Sequence, residues 1–397
     1  MKLANRVLNV QPSPTLAVDT KANAMRAQGI DVINFGVGQP DFDTPKHVCE
    51  AGIAAINSGQ TRYTPVDGIP ELKKAIVEKF KKDNGLEYST DQVTVNVGGK
   101  HSCYLLCQAL LEEGDEVIIP APYWVSYPAM VALAEATSVI VPTREENGFK
   151  LTLAELKCAI TPQTRALILN SPSNPTGSAY TKEELLPLAE LAASKGIIIF
   201  SDEMYESILF DNMRFISTAS LSPEIYRHTV TLNGVSKAYA MTGWRIGYMA
   251  GPQEIIKACN KIQSQSTSNP TSLAQWAALA ALTGPQDEVV SNCREFEKRR
   301  DYIIKRLLEI PGVTCFKPQG AFYAFPNFSA YYGKKFGDMV ISDSLDLTSY
   351  LLEQAHVAVV PGVAFGEDTC LRFSFATSLE LIGAGLDRVQ KAVAGLK

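Results

Sequence analysis

Apolar and polar positions alternate along the middle of the chain with two different periods. Short apolar runs at 93–97, 116–120, 138–142, 166–170, 196–201, 229–232 and 245–250 read as buried strands. Between most of them lie segments, such as 102–111 and 182–194, whose apolar residues recur at helical spacing. Strands alternating with helices predict an α/β fold, a largely parallel seven-stranded sheet covered by helices on both faces. The pattern changes after 294. The segment 294–310 reads as a long amphipathic helix, 320–327, 357–361 and 371–375 as a smaller sheet, and 380–396 as a closing helix. The expected layout is a large domain over 46–293 and a smaller α+β domain formed by both chain ends, 1–45 and 294–397.

Composition narrows the function classes. With 397 residues, 46% hydrophobic and 20% charged, the chain has the make-up of a globular protein with a large core. A net charge of -5 gives no reason to expect a nucleic-acid partner. The most charged run, REFEKRRDYIIK at 294–305, alternates in sign as a solvated helix face does. The eight cysteines show no CxxC spacing, so no metal site is expected, and their scatter among apolar residues points to core packing in a reducing compartment. The first residues, MKLANRVLNVQPSP, lack the apolar segment of a secretory signal, and no run of 18 apolar residues exists to span a bilayer. These features predict a cytoplasmic protein without a membrane partner.

Candidate chemistry sits at the predicted strand ends, where open α/β sheets place their ligands. The strand VTVNV runs into Gly98-Gly99-Lys100 and a helix, an arrangement whose free N–H groups suit an anion. Its spacing is not that of a Walker loop, and no GxGxxG is present to support a nicotinamide-dependent oxidoreductase. The strand ALILN ends in SPSNPTG (171–177), whose prolines restrain Asn174, and GIIIFS ends in Asp202-Glu203-Met204-Tyr205. The strand VTL leads into GVSKAYAMTGWR (234–245), where Lys237 and Arg245 have no acidic neighbour in sequence. Unpaired cations among small and apolar residues cost free energy unless a partner compensates them. A pyridine aldehyde bearing a phosphate answers each feature. The lysine forms an imine with the aldehyde, and a carboxylate holds the ring nitrogen protonated so that the ring accepts electrons. The phenol and the amide reach the ring hydroxyl oxygen, an aromatic such as Trp124 stacks on the ring, and the helix start with an arginine fork takes the phosphate.

With these residues in place, the sequence resembles the class I, fold-type I, pyridoxal-phosphate aminotransferases, most of all the bacterial aspartate aminotransferase branch. The matching motifs are GVGQPDFDTP (36–45), TRYTPVDGIPELKKAI (61–76), VGGK (97–100), PYWVSYP (122–128), SNPTG (173–177), SDEMYE (201–206), SKAYAMTGWRIGY (236–248) and LRFSFATS (371–378). They cover nearly the whole chain in the family's order. The resemblance implies the fold-type I architecture, pyridoxal 5'-phosphate as cofactor, and transfer of an amino group from L-aspartate to 2-oxoglutarate in a ping-pong cycle. The alternatives within the branch are aromatic, alanine or prephenate specificity. It also implies roles. Lys237 is the imine-forming lysine and proton carrier. Asp202 pairs with the ring nitrogen, Tyr205 and Asn174 with the ring oxygen, and Trp124 stacks. Arg245 and the N–H groups of Gly99 and Lys100 hold the phosphate. Arg372 takes the substrate α-carboxylate with Asn174 and the backbone around Gly38. Tyr63 reaches the phosphate of a neighbouring subunit, implying a twofold homodimer with shared active sites. Arg372 also stands out on physical grounds, since a lone arginine in an apolar strand (LRFSF) calls for a buried anionic partner.

Two departures from the family matter. Many members carry a phosphate-contacting serine three residues before the lysine, where this chain has Gly234. The best-known branch reads the distal carboxylate of aspartate with a partner-subunit arginine, and none occurs between Cys259 and Cys293. Lys100 is the candidate for that task here.

Overall fold

The computed structural model describes residues 2–10, 12 and 14–397. A one-turn helix at Asn5–Leu8 is followed by the helix Pro14–Ala27 and a short strand, β1 (Ile33–Asn34), then two helices, Lys46–Asn57 and Pro70–Asn84. Seven strands follow: β2 (Val93–Asn96), β3 (Glu116–Ala121), β4 (Thr137–Pro142), β5 (Thr164–Asn170), β6 (Ile198–Asp202), β7 (Thr229–Gly234) and β8 (Gly247–Ala250). They form one sheet in the order β2-β8-β7-β6-β5-β3-β4. All neighbours in it run parallel except those of β8, which is antiparallel to both β2 and β7. The mainly parallel seven-stranded α/β sheet expected from the sequence is therefore present. Its central strands are apolar without alternation because both faces are covered: one side packs Leu105, Leu106, Val131 and Ile256, the other Leu156, Leu188 and Ala192.

The last predicted strand, 245–250, begins two residues later than expected. Arg245 adopts a left-handed φ of 57° after a single helical turn and swings out of the strand line. Such a φ is uncommon for a non-glycine residue and has to be held by its surroundings. Here the guanidinium donates through Nη1 to the Thr242 carbonyl at 2.7 Å.

Beyond the sheet, the long helix spans Asp287–Leu308, seven residues earlier than predicted, with Asp287 and Glu288 complementing its N-terminal dipole. Strands β9 (Tyr323–Ala324), β10 (Lys335–Phe336), β11 (Met339–Val340), β12 (Val357–Ala358), β13 (Val360–Pro361) and β14 (Leu371–Ser374) follow, with closing helix Leu379–Ala394. The predicted strand at 320–327 is cut to two residues, paired antiparallel with β14. β14 lies between β13 and β9, and β1 pairs in parallel with β12, so the start and the last third of the chain meet. A second core of Phe35, Phe296, Phe322, Phe373 and Leu386 also takes in Tyr205, Ile208 and Phe210 from the loop after β6. That shared packing sets the carboxyl ends of the large sheet against β9 and β14. All eight cysteines are free; four are buried, while Cys158 is exposed. Among the described residues no helix is long and apolar enough to cross a membrane, and no group of side chains has metal-ligand clustering.

Candidate active site

A cavity of about 330 Å³ opens where the sheet's carboxyl ends face β9 and β14, within the usual ~300–1,000 Å³ range of small-molecule sites. Among its walls are Gly38, Gly99, Lys100, Trp124, Asn174, Asp202, Tyr205, Lys237, Arg245 and Arg372. The structure thus brings together all but one of the residues singled out in the sequence. Tyr63 is the exception: it is 92% exposed, on the loop before helix Pro70–Asn84, and does not line the cavity of its own chain.

The anion end is built from close-packed glycines. Helix Gly99–Leu110 starts without a side-chain cap, and Gly98 has φ 82°. A Cβ on Gly247 would fall 2.3 Å from the Gly99 nitrogen, and one on Gly98 would fall 2.3 Å from Arg245 Nη2. The glycines let β8, the helix start and the Arg245 guanidinium converge, leaving uncapped N–H groups and a cation in one place. At Gly234 a Cβ would meet Met204 Cε, Gly247 Cα and the Ile246 carbonyl, each at 3.1 Å. No serine fits there without displacement. Ser236, next to the lysine, presents the nearby hydroxyl, since it does line the cavity.

Lys237 projects from the loop after β7. Its Nζ donates to the Gly38 carbonyl at 2.6 Å and lies 5.9 Å from the Tyr205 ring centroid. Burial, reinforced by the charges of Arg372 and Arg245, pulls its pKa down to about 7. A large share of the amine is therefore neutral at physiological pH, as a nucleophile or proton acceptor must be. Asp202, the last residue of β6, accepts from Tyr127 Oη at 2.5 Å and from the Met204 N–H at 3.2 Å. Burial nevertheless raises its carboxyl above the ordinary range, a penalty that a cationic ring nitrogen beside it would relieve. Its neighbour Glu203 is fully buried and accepts from the Ser201 and Ser217 hydroxyls and the Thr218 N–H, tying the end of β6 into the core.

Arg372 on β14 is 3% exposed and has no carboxylate partner among the described residues. Nη1 donates to Asn174 Oδ1 at 3.0 Å, Nη2 donates to the Gly36 carbonyl at 2.7 Å, and Nε has no partner. The guanidinium lies between two rings, 4.6 Å from the centroid of Tyr323 and 5.0 Å from that of Phe365. Asn174 is fixed in turn through its N–H to Asn170 Oδ1 at 2.8 Å. Lys100, at the rim, holds Nζ 5.2 Å from the Trp124 ring centroid. The cavity therefore gathers Lys100, Lys237, Arg245 and Arg372 against the acids Asp19 and Asp202. That excess of positive charge, divided between two ends, fits a ligand set with a phosphate and at least one carboxylate. The uncapped helix start, the unpartnered Arg372 Nε and the lysine shifted to about 7 together fit pyridoxal phosphate.

Sequence reasoning missed two phenols. Tyr127 lies in the PYWVSYP motif, three residues after Trp124, and its hydroxyl reaches Asp202. Tyr323 lies in GAFYAFPN, lines the cavity and touches Tyr205, with 2.9 Å between hydroxyls. Neither carries a local sequence signal that separates it from ordinary core, and both rings are buried.

The profile of the family described as aminotransferase class I and II matches residues 30–389. An aspartate aminotransferase of Geobacillus stearothermophilus is 51% identical over 392 residues, 98% of each chain. An aspartate/prephenate aminotransferase of Cereibacter sphaeroides is 52% identical over 396 residues, 99% of each chain. The crystal structure of the aspartate aminotransferase from Rhizobium meliloti superposes with a TM-score of 0.97 at 45% identity, covering 100% of both chains. A glycine-lined anion cradle, a lysine with a depressed pKa, a buried acid and an unpaired buried arginine, found on this fold and with these relatives, have one common reading: the chain belongs to the class I and II aminotransferases, enzymes that work with pyridoxal phosphate.

Proposed function

We propose that this aminotransferase moves the α-amino group of L-aspartate to 2-oxoglutarate, giving oxaloacetate and L-glutamate. The observation that carries the reading is the placement of Arg372 and Lys100. Among the described residues, a buried arginine without a counter-ion stands at one side of the cavity and a lysine without a carboxylate partner at its rim. Two separated cations suit an amino acid with two carboxylates. The names of the relatives above support aspartate, and a Thermus thermophilus aspartate aminotransferase with a TM-score of 0.93 was solved with maleate. Prephenate also has two carboxylates, and the Cereibacter sphaeroides relative keeps it as the second reading.

Each residue has a task in that reaction. The backbone N–H groups of Gly99 and Lys100 and the Arg245 guanidinium would hold the phosphate, Asp202 the ring nitrogen, and Asn174 and Tyr205 the ring oxygen, while Trp124 would cover the ring. When bound, pyridoxal phosphate supplies an aldehyde to carry the amino group and a ring to accept the electron pair left by the substrate's Cα proton. Arg372, aided by Asn174 and the backbone near Gly38, fixes the α-carboxylate and so sets where the Cα–H bond points. Lys237, with a large share of its amine neutral near pH 7, would take that proton and deliver it two atoms along, across the nitrogen. Asp202 keeps positive charge on the ring nitrogen, and Tyr127 holds the carboxylate in place from behind. The exposed Tyr63 fits a task at the site of a second copy, in a cytoplasmic homodimer. In this reading the chain divides into a large domain at 46–293 and a small one at 1–45 and 294–397.

Lys100→Met tests the substrate assignment. It is expected to lower kcat/KM for L-aspartate by roughly 10- to 100-fold, the loss of one charge-assisted contact, with little change for L-alanine. An equal fall for both amino acids would assign Lys100 to the phosphate and remove the dicarboxylate argument.

A further inference from the structure

Tyr323 has no part in the assignments above, yet it touches three of the groups they rely on. It comes from β9 and is 1% exposed. Its hydroxyl lies 2.9 Å from that of Tyr205, and its ring sits under the Arg372 guanidinium with Cζ 4.6 Å from the centroid. On a third side it meets Gly38, where an added Cβ would fall 2.8 Å from the Tyr323 oxygen. Only a glycine lets that hydroxyl pass, and it is the Gly38 carbonyl that receives the Lys237 amine. The phenol is thus wedged between the lysine's loop contact, the ring-oxygen donor and the carboxylate-binding arginine.

Two hydroxyls 2.9 Å apart hold a single proton between them, so one donates and the other is left to point elsewhere. If Tyr205 donated to Tyr323, its proton would be spent inside the protein. If Tyr323 donates to Tyr205, the Tyr205 proton is free to face the cavity. Geometry selects the second arrangement. Tyr323 is 1% exposed with its oxygen packed against Gly38, and among the described residues Tyr205 is the one hydrogen-bond partner of its hydroxyl, so an accepting Tyr323 would leave its own proton without an acceptor.

We propose that Tyr323 is a positioning residue whose hydroxyl donates to Tyr205, thereby aiming the Tyr205 proton at the cofactor's ring oxygen, while its ring carries the guanidinium of Arg372. The inference rests on the assignment of Tyr205 to that oxygen. It makes one side chain responsible for the orientation of both the cofactor-side donor and the substrate-carboxylate fork.

The test is a pH titration of the visible absorbance of the cofactor-loaded protein without substrate, paired with steady-state kinetics. Tyr323→Phe keeps the ring under Arg372 and removes only the hydroxyl. Negative charge on the ring oxygen is then less well supported, so the absorbance midpoint is expected to rise by about 0.5–1 pH unit, the equivalent of one hydrogen bond. KM for L-aspartate changes little in this variant. Tyr323→Leu removes the stack as well and is expected to raise KM in addition. Tyr205→Phe serves as the reference. A midpoint that moves in Tyr205→Phe and stays put in Tyr323→Phe overturns the inference and leaves the Tyr205 assignment standing. A midpoint unmoved in both overturns the two together.

Discussion

Lys237→Met is expected to lose turnover by at least ~10⁴-fold while remaining folded and, free of cofactor, to be more stable than the parent at neutral pH. The two effects share one cause. The site holds an amine whose burial and cationic neighbours Arg372 and Arg245 bring its pKa down to about 7, so it is reactive there because its charged form is unwelcome. The sign of the stability effect follows from proton counting. Between about pH 7 and the unfolded lysine's ~10.4, the unfolded chain binds a proton that the folded chain does not, so the parent gains stability as pH rises. The advantage of the methionine variant is therefore full below about pH 7 and fades through that window. Urea midpoints of parent and variant at about pH 6.5 and about pH 9.5, with kcat measured beside them, check both halves. A variant that turned over normally would remove Lys237 from the chemistry. A stability difference that grew with pH would contradict the burial argument.

Arg372→Lys is expected to lower kcat/KM by about 100-fold for every amino-acid substrate, because the α-carboxylate is common to all of them. A charge-assisted hydrogen bond contributes ~1.5–3 kcal/mol, and a lysine keeps the charge while losing the fork. In this site the fork already spends Nη1 on Asn174 and Nη2 on the Gly36 carbonyl, so its plane and direction are fixed before substrate arrives. An ammonium group cannot satisfy those partners and also meet a carboxylate side-on, nor can it lie flat between Tyr323 and Phe365. The contrast with Lys100→Met is informative: that change acts on dicarboxylates alone, this one on all substrates. A defect confined to L-aspartate would transfer the α-carboxylate to another residue.

The residues legible in the sequence were those whose charge or conformational cost is unexplained locally. Lys237, Arg245 and Arg372 are cations in apolar or small surroundings, and Asp202 and Asn174 stand at strand ends where an α/β sheet binds ligands. Tyr127 and Tyr323 escaped because a phenol in an apolar run is normal core, and the partners that give them a task lie 75 and 118 positions away. Pattern reading does not reach across that separation. The sheet was legible because strands buried on both faces are continuous apolar runs. The antiparallel direction of β8 was not, since period and hydrophobicity are the same in either direction. The long helix was predicted seven residues short because its first two turns, DEVVSNC, bury little and carry only a dipole-compatible acidic start. The strand at 320–327 is shorter than its pattern suggests for the opposite reason: its apolar run is core on every side, but only Tyr323 and Ala324 pair as a strand, with isolated bridges at Gly320 and Asn327.

The most direct test of the central claim is a single-turnover absorbance trace of the cofactor-loaded protein mixed with L-aspartate in the absence of any oxo acid. Transamination of aspartate predicts rapid loss of the long-wavelength cofactor band, appearance of the band of its amino form, and stoichiometric release of oxaloacetate. An unchanged spectrum with L-aspartate, alongside conversion by L-alanine or L-phenylalanine, would contradict the dicarboxylate reading of Lys100.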